Sequence, residues 1–206
     1  YEIPKRDWSS DVCSSDLIDL CAAPGGKTAQ LAAAGGRVTA VDRSTGRMAR
    51  LGANLQRLGL QAETIVADVQ TWRPAEPADG ILLDAPCSGT GTIRRHPDLA
   101  HLKTQDDVAR LTALQDRLLD AARDGLRPGG LMVYCVCSLQ PEEGPQRIAA
   151  LLARHTDLRR QPVTPGEIDG IADFISRDGD LRTLPSAWPS RGGLDGFFAA
   201  RLVRAG

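Results

Sequence analysis

Apolar residues along this chain fall into two patterns that take turns. Short unbroken runs bounded by Gly, Pro or Asp read as buried strands: LIDLCA over 17–22, RVTAVD over 37–42, ETIVAD over 63–68, GILLDA over 80–85 and GLMVYCV over 130–136. Between them, apolar positions recur at helical spacing: Met48, Leu51, Leu55 and Leu58, then Leu111, Leu114, Leu118 and Ala122, then Ile148, Leu151 and Leu152. Strands alternating with helices predict an α/β domain with a mainly parallel sheet covered on both faces. Gly59 and Gly125 fall where helices should stop, and PGG at 128–130 should turn the chain into the fifth strand. GFFAARLVR, 196–204, predicts a closing antiparallel strand, with loops and a short hairpin over 156–195. No internal repeat or long linker interrupts this plan.

Composition narrows the picture. A chain of 206 residues, 42% hydrophobic, can bury one sizeable core and is too short for two independent ones. Residues 1–16 break the pattern: the chain opens on Tyr1, and SSDVCSSD at 9–16 repeats a triplet without any periodicity. We expect 1–16 to be a truncated or foreign leader, with no role for Cys13, and 17–206 to be the folded domain. No apolar run approaches the ~20 residues of a spanning helix, and no secretory leader opens the chain, so no membrane association and a cytoplasmic location are expected. Five cysteines without a regular framework or zinc spacing argue against disulfide staples and against a metal. The thiols are then free for packing or chemistry. With 25 basic and 26 acidic side chains the formal charge is -1, a weak footprint for nucleic acid, so any such partner must be held by a local patch.

Ligands of open α/β sheets bind beyond the carboxyl ends of the strands, and the predicted strands end in groups suited to chemistry. CAAPGGKT, 21–28, is a Gly-rich turn into a helix, whose free backbone N–H groups suit an anionic or carboxylate-bearing ligand. It has neither the dinucleotide-fold nor the P-loop spacing, and alone it could equally be a tight turn. Asp42 and Asp68 end the second and third strands, where either could accept hydrogen bonds from a nucleoside or simply cap its own turn. Taken together with the Gly-rich loop, they describe a nucleoside pocket better than three unrelated turns do. The fourth strand runs into DAPCSGTG, 84–91, and the fifth into VYCVCSLQPEEG, 133–144, bringing Cys87 and Cys137 to one crevice. Cys135, inside the strand, reads as a small buried hydrophobe.

These motifs resemble the NOL1/NOP2/Sun family of RNA 5-methylcytosine methyltransferases, on DLCAAPGGKT, DAPCSGTGTIRRHPD, the cysteine motif with PEEG, and the terminal DGFFAAR. The resemblance spans roughly 17–206. It implies a Rossmann-like class I methyltransferase fold, with a mainly parallel seven-stranded sheet and an antiparallel closing strand. It implies S-adenosyl-L-methionine as cofactor, its methionine portion held by Cys21, Ala22, Ala23, Pro24, Gly25, Gly26 and Lys27, its ribose by Asp42 and its adenine side by Asp68. Asp84 would lie beside both cofactor and base. Cys137 would be the nucleophile, and Cys87 the second cysteine that helps release product. Where the family has Thr before the nucleophile this chain has Val136, and the N-terminal RNA-binding domain of bacterial members is not seen in this sequence.

The chemistry needs such residues. Cytosine C5 is a poor nucleophile until a thiolate adds to C6, after which C5 can take the methyl group; an acid at the N3 and amino edge would stabilise charge developing on the ring. The expected partner is RNA, ribosomal rather than transfer RNA, with its target base flipped or single-stranded. Arg94, Arg95 and His96 could contact phosphate beside Cys87, although a bare RRH run more often lies on a solvated loop. The protein is expected to be monomeric, and His101 and His155 receive no role. Two rival readings remain: an RNA-binding fragment without catalysis, and a thiol redox protein using Cys135 and Cys137. The second is disfavoured because CxC lacks the CxxC redox spacing.

Overall fold

The computed structural model describes residues 15–206, so Cys13 and nearly all of the expected leader lie outside it. Asp16, placed by the sequence in that leader, instead opens the first strand, paired with Arg37. Strand β1 (Asp16–Leu20) is followed by helix α1 (Gly26–Ala33), β2 (Arg37–Asp42), α2 (Thr45–Leu58), β3 (Glu63–Val66) and β4 (Ala78–Asp84). Then come α3 (Leu99–Leu102), α4 (Gln105–Gly125), β5 (Leu126–Val136), α5 (Pro145–Arg154), β6 (Leu158–Arg160), β7 (Leu181–Thr183) and β8 (Phe197–Arg204).

The sheet order is β3-β2-β1-β4-β5-β8-β6, with β7 also paired to β8. Strands β1 to β5 are mutually parallel, and β8 runs antiparallel to β5. The expected seven strands become eight because the outer edge of β8 is shared. β6 covers its end at 202–204 and β7 its start at 197–199, so eight strands fill seven positions. The hairpin expected within 156–195 shrinks to a single antiparallel bridge between Ile175 and Leu181.

Alternation along each strand divides the core. On β2, Val41 faces a cluster built with Leu118, Leu119 and Ala122 of α4 and Ile148 and Leu151 of α5, whereas Ala40 faces Met48, Leu51 and Leu55 of α2. Leu58, predicted on that same face, is exposed, one residue before Gly59 ends the helix in the left-handed region. The Ser44 side chain caps α2, and a reciprocal Thr104–Asp107 box caps α4. The predicted PGG turn lies inside β5: Leu126 pairs with Ala78 and Leu131 with Gly80, so residues 127–130 form an outward bulge.

The connection leaves β1 toward β2 on one side and reaches β4 on the other, so the strand order reverses between β1 and β4. A crevice must open there at the carboxyl ends. Every candidate residue after β1, β2, β4 and β5 is thereby brought to one rim.

Candidate active site

The rim begins where β1 stops. The sequence predicts strand through Ala22, but Cys21 turns out of it with φ 60°, and Ala22 N–H donates to the Val41 carbonyl at 3.1 Å. Gly25 follows with φ 100°, and a Cβ there would lie 2.7 Å from Leu51 Cγ, so the turn into α1 requires glycine for both conformation and space. Asn54 of α2 donates to the Pro24 carbonyl, which ties the loop to the helix beneath it.

Asp42 ends β2 almost completely buried, with four hydrogen bonds to its carboxylate. Ser44 N–H and Arg47 Nη2 reach Oδ1 at 2.9 Å each, while Arg47 Nη2 and Ala23 N–H reach Oδ2 at 3.1 and 3.4 Å. Asp68 lies two residues beyond the observed end of β3. It accepts from the Gln70 backbone and side chain, so it does cap its own turn. Cys21, Asp42, Arg47, Asp68 and Gln70 nevertheless line one cavity of about 450 Å³, closed on its apolar side by Leu114 and Leu118 of α4.

Toward β4 the charges change hands. Lys27 donates to Asp84 Oδ2 at 2.6 Å, and Cys135 Sγ lies 3.6 Å from Asp84 Oδ1. Cys135 is buried, as expected of a small hydrophobe, but it also contributes a weak hydrogen bond to this acid. Asp19, one strand position inside, takes no part in the rim: it is fully buried against Thr28, and burial pushes its carboxyl up to about 6.

Cys87 and Cys137 meet beyond the ends of β4 and β5, Sγ to Sγ at 3.5 Å. The Cys87 thiol bonds to Cys137 and holds it down to about 7 from 9.0, against the opposing effects of burial and Asp84. Cys87 is pushed up for the complementary reason, its proton being held by its neighbour, and burial adds to this. Burial also raises Cys135, and lifts Cys21 to about 12. Of the four cysteines among the described residues, only Cys137 is shifted toward the thiolate.

What holds the pair together is buried and polar. Glu143, wholly inaccessible, accepts Ser88 N–H at 2.8 Å, the Ser88 and Ser138 hydroxyls at 2.5 Å each and the Gln115 amide at 3.2 Å. Gly91 N–H donates to the Cys137 carbonyl at 3.0 Å, and Gly196 N–H to the Gly91 carbonyl at 2.7 Å. The DGFF turn is thus stitched to both cysteine loops. A Cβ on Gly91 would sit 1.9 Å from the Gly196 oxygen. Val136, where the resemblance leads one to expect Thr, is fully buried among apolar neighbours, an environment in which a methyl packs and a hydroxyl would need a partner.

Arg94 and Arg95 lie exposed beside the Cys87 loop and are both held by Asp195, with Arg95 Nη2 at 2.5 Å and Arg94 Nη2 at 3.5 Å; His96 is exposed next to them. His155 pairs with Asp120 on the opposite side of α4, away from this rim. The sequence pattern did not single out Arg47, Gln70, Glu143 or Asp195. Only the last two fall within the quoted motifs.

The chain matches the family model described as 16S rRNA methyltransferase RsmB/F over residues 12–203. It belongs to the RsmB/F methyltransferase family. A ribosomal RNA small subunit methyltransferase B from Sodalis glossinidius is 44% identical over 196 residues, covering 93% of this chain and 42% of the relative. A methyltransferase homolog protein from Pyrococcus horikoshii is 31% identical with a TM-score of 0.73, covering 93% of this chain and 62% of that one. NSun6 from Pyrococcus horikoshii, solved with SFG, is 27% identical with a TM-score of 0.79, covering 93% and 48% respectively. This RsmB/F chain therefore spans less than half the length of the curated relatives it matches, and the Rossmann-like methyltransferase fold is shared with both structures.

Proposed function

We propose that the chain from Asp16 onward is the catalytic domain of an RNA cytosine-5 methyltransferase, acting on small-subunit ribosomal RNA in the cytoplasm as a monomer. The observation that carries this reading is the Cys87–Cys137 pair, with its lowered thiol at the end of β5 and Asp84 on the adjacent strand end.

The rim fits S-adenosyl-L-methionine. Two strand-end carboxylates, Asp42 and Asp68, suit ribose hydroxyls and an adenine amino group, Leu114 and Leu118 suit a purine face, and the turn from Cys21 to Lys27 offers N–H groups at the start of α1. When bound, that cofactor supplies an electrophilic methyl group. Cys137, as thiolate, adds to C6 of the cytosine and makes C5 nucleophilic. Asp84, fixed by Lys27, accepts a hydrogen bond from the cytosine amino group, and the adjoining Lys27 ammonium offsets the negative charge that thiolate addition places on the ring. After methylation a water molecule takes the C5 proton, the electron pair of that C–H bond forms the C5–C6 double bond, Cys137 leaves C6 as a thiolate, and the ring regains aromaticity. Cys87 is positioned to donate a hydrogen bond to Cys137 as it leaves, which stabilises the departing thiolate. Arg94, Arg95 and His96 hold backbone phosphate beside the flipped base.

The test is transfer of tritium from labelled S-adenosylmethionine to cytosine C5 of unmethylated ribosomal RNA. Labelling that persists in Cys137→Ala overturns the nucleophile assignment. A covalent RNA adduct that accumulates in Cys87→Ala supports the release role, and its absence refutes it.

A further inference from the structure

Asp42 presents an unusual balance for a ligand-binding acid. Its side chain is 1% exposed, yet the Arg47 side chain that bonds both of its oxygens is 51% exposed and reaches in from the first turn of α2. Oδ1 already takes Ser44 N–H and Arg47, so each of its lone-pair directions is filled. Oδ2 has only Arg47 and a long contact from Ala23 N–H. Two ribose hydroxyls donating to this carboxylate therefore need the positions that Arg47 occupies. Arg47 and Asp42 line the same cavity, and the exposed stem of Arg47 leaves it a route into solvent.

We infer that Arg47 is a displaceable placeholder. Its guanidinium satisfies the buried Asp42 carboxylate while the nucleoside pocket is empty and yields that carboxylate to the ribose hydroxyls on binding. The backbone donors Ser44 N–H and Ala23 N–H stay in place through the exchange, so the acid keeps its orientation. Arg47 is thus a positioning residue that sets affinity through competition, and part of the binding energy of the nucleoside is spent in moving it. The opposite arrangement, in which Arg47 stays on Asp42 and supports the ribose from behind, makes the opposite prediction for its removal.

The inference rests on the reading of this cavity as the S-adenosylmethionine site. The experiment is calorimetric titration of S-adenosylhomocysteine into the wild-type chain, Arg47→Met and Arg47→Lys, with thermal melts of each with and without ligand. Removing the competitor should tighten binding by about three- to fivefold in Arg47→Met, the ratio a half-exposed ion pair can hold. Arg47→Lys, which keeps the charge but replaces the single guanidinium nitrogen bridging both carboxylate oxygens with an ammonium on a shorter stem, should fall between. The ligand-free Arg47→Met melt should drop below wild type, and saturating ligand should narrow that gap, because the pair is broken in the bound state anyway. Weaker or unchanged binding in both variants overturns the placeholder while leaving the cofactor reading intact. Failure of the wild type to bind S-adenosylhomocysteine overturns both. Should Arg47→Met fail to fold, the affinity of Arg47→Lys alone decides the sign.

Discussion

Truncating Glu143 to Ala removes the one group that four donors from three segments share. The consequences for those donors are unequal. The Ser88, Thr90 and Ser138 hydroxyls lie 3.2–3.3 Å from one another and can re-pair among themselves, and the Gln115 amide keeps the Pro86 carbonyl at 2.9 Å. Ser88 N–H has no such recourse and is left buried without an acceptor, which costs about 1–3 kcal/mol. The vacated side-chain volume adds about 1 kcal/mol. A total of about 2–4 kcal/mol follows, read from urea denaturation at neutral pH. Glu143→Gln keeps an acceptor for Ser88 N–H and the same shape, while the hydroxyls can rotate to accept its amide, so it should cost only about 1 kcal/mol. The loop carrying Cys87 should also slacken, and iodoacetamide should modify Cys137 more slowly at pH 7 in the Ala variant. A destabilisation below about 0.5 kcal/mol for Glu143→Ala, together with unchanged Cys137 reactivity, would refute the idea that this buried carboxylate assembles the thiol pair.

Cys137 alkylation should rise with pH through a midpoint near 7, since a lowered thiol gains its reactive thiolate as pH climbs through its folded value. In Cys87→Ala the midpoint should move up toward the ordinary value, slowing reaction at pH 7 by as much as about fiftyfold; an unmoved midpoint would show that Cys87 is not the cause. Gly91→Ala should cost about 3 kcal/mol or more because its Cβ meets the Gly196 backbone, whereas Gly52→Ala, with open space at mid-helix in α2, should stabilise by about 0.5–1 kcal/mol; melts of the two variants check both signs. Replacing Arg94 or Arg95 with Ala should lower the salt slope of RNA binding by about 0.7 for each phosphate no longer neutralised, and an unchanged slope would place the RNA elsewhere.

The centre of the fold is legible because its inner strands are covered on both faces and its helices on one, so apolar run and helical period separate cleanly, whereas the edge strand β3 is mostly exposed. The errors cluster where an apolar side chain continues past the last ladder bond. Cys21 and Ala22 read as strand by hydropathy, yet the backbone has already turned left-handed to free Ala22 N–H for Val41. PGG at 128–130 signals a break correctly but not its kind. A bulge and a turn use the same residues, and only the partner strand, through Ala78 and Gly80, distinguishes them.

The site divides along the same line between local and distant. Asp42, Asp68 and the Gly-rich turn announce themselves because each sits just past its own strand, and adjacency of β4 and β5 is enough to bring Cys87 toward Cys137. Adjacent strand ends alone, however, do not set two thiols 3.5 Å apart. That requires Glu143, separated by 55 residues from Ser88, and Gly91, far along the chain from Gly196. In PEEG, nothing in the pattern tells Glu142, partly exposed, from Glu143, wholly buried, and a double acid ahead of a helix reads as solvated. The proposed nucleophile, Cys137, can therefore be picked out from the motif and the strand order, while the lowering of its thiol is a tertiary property. It depends on whether the buried acid draws the two loops close enough for Cys87 to donate.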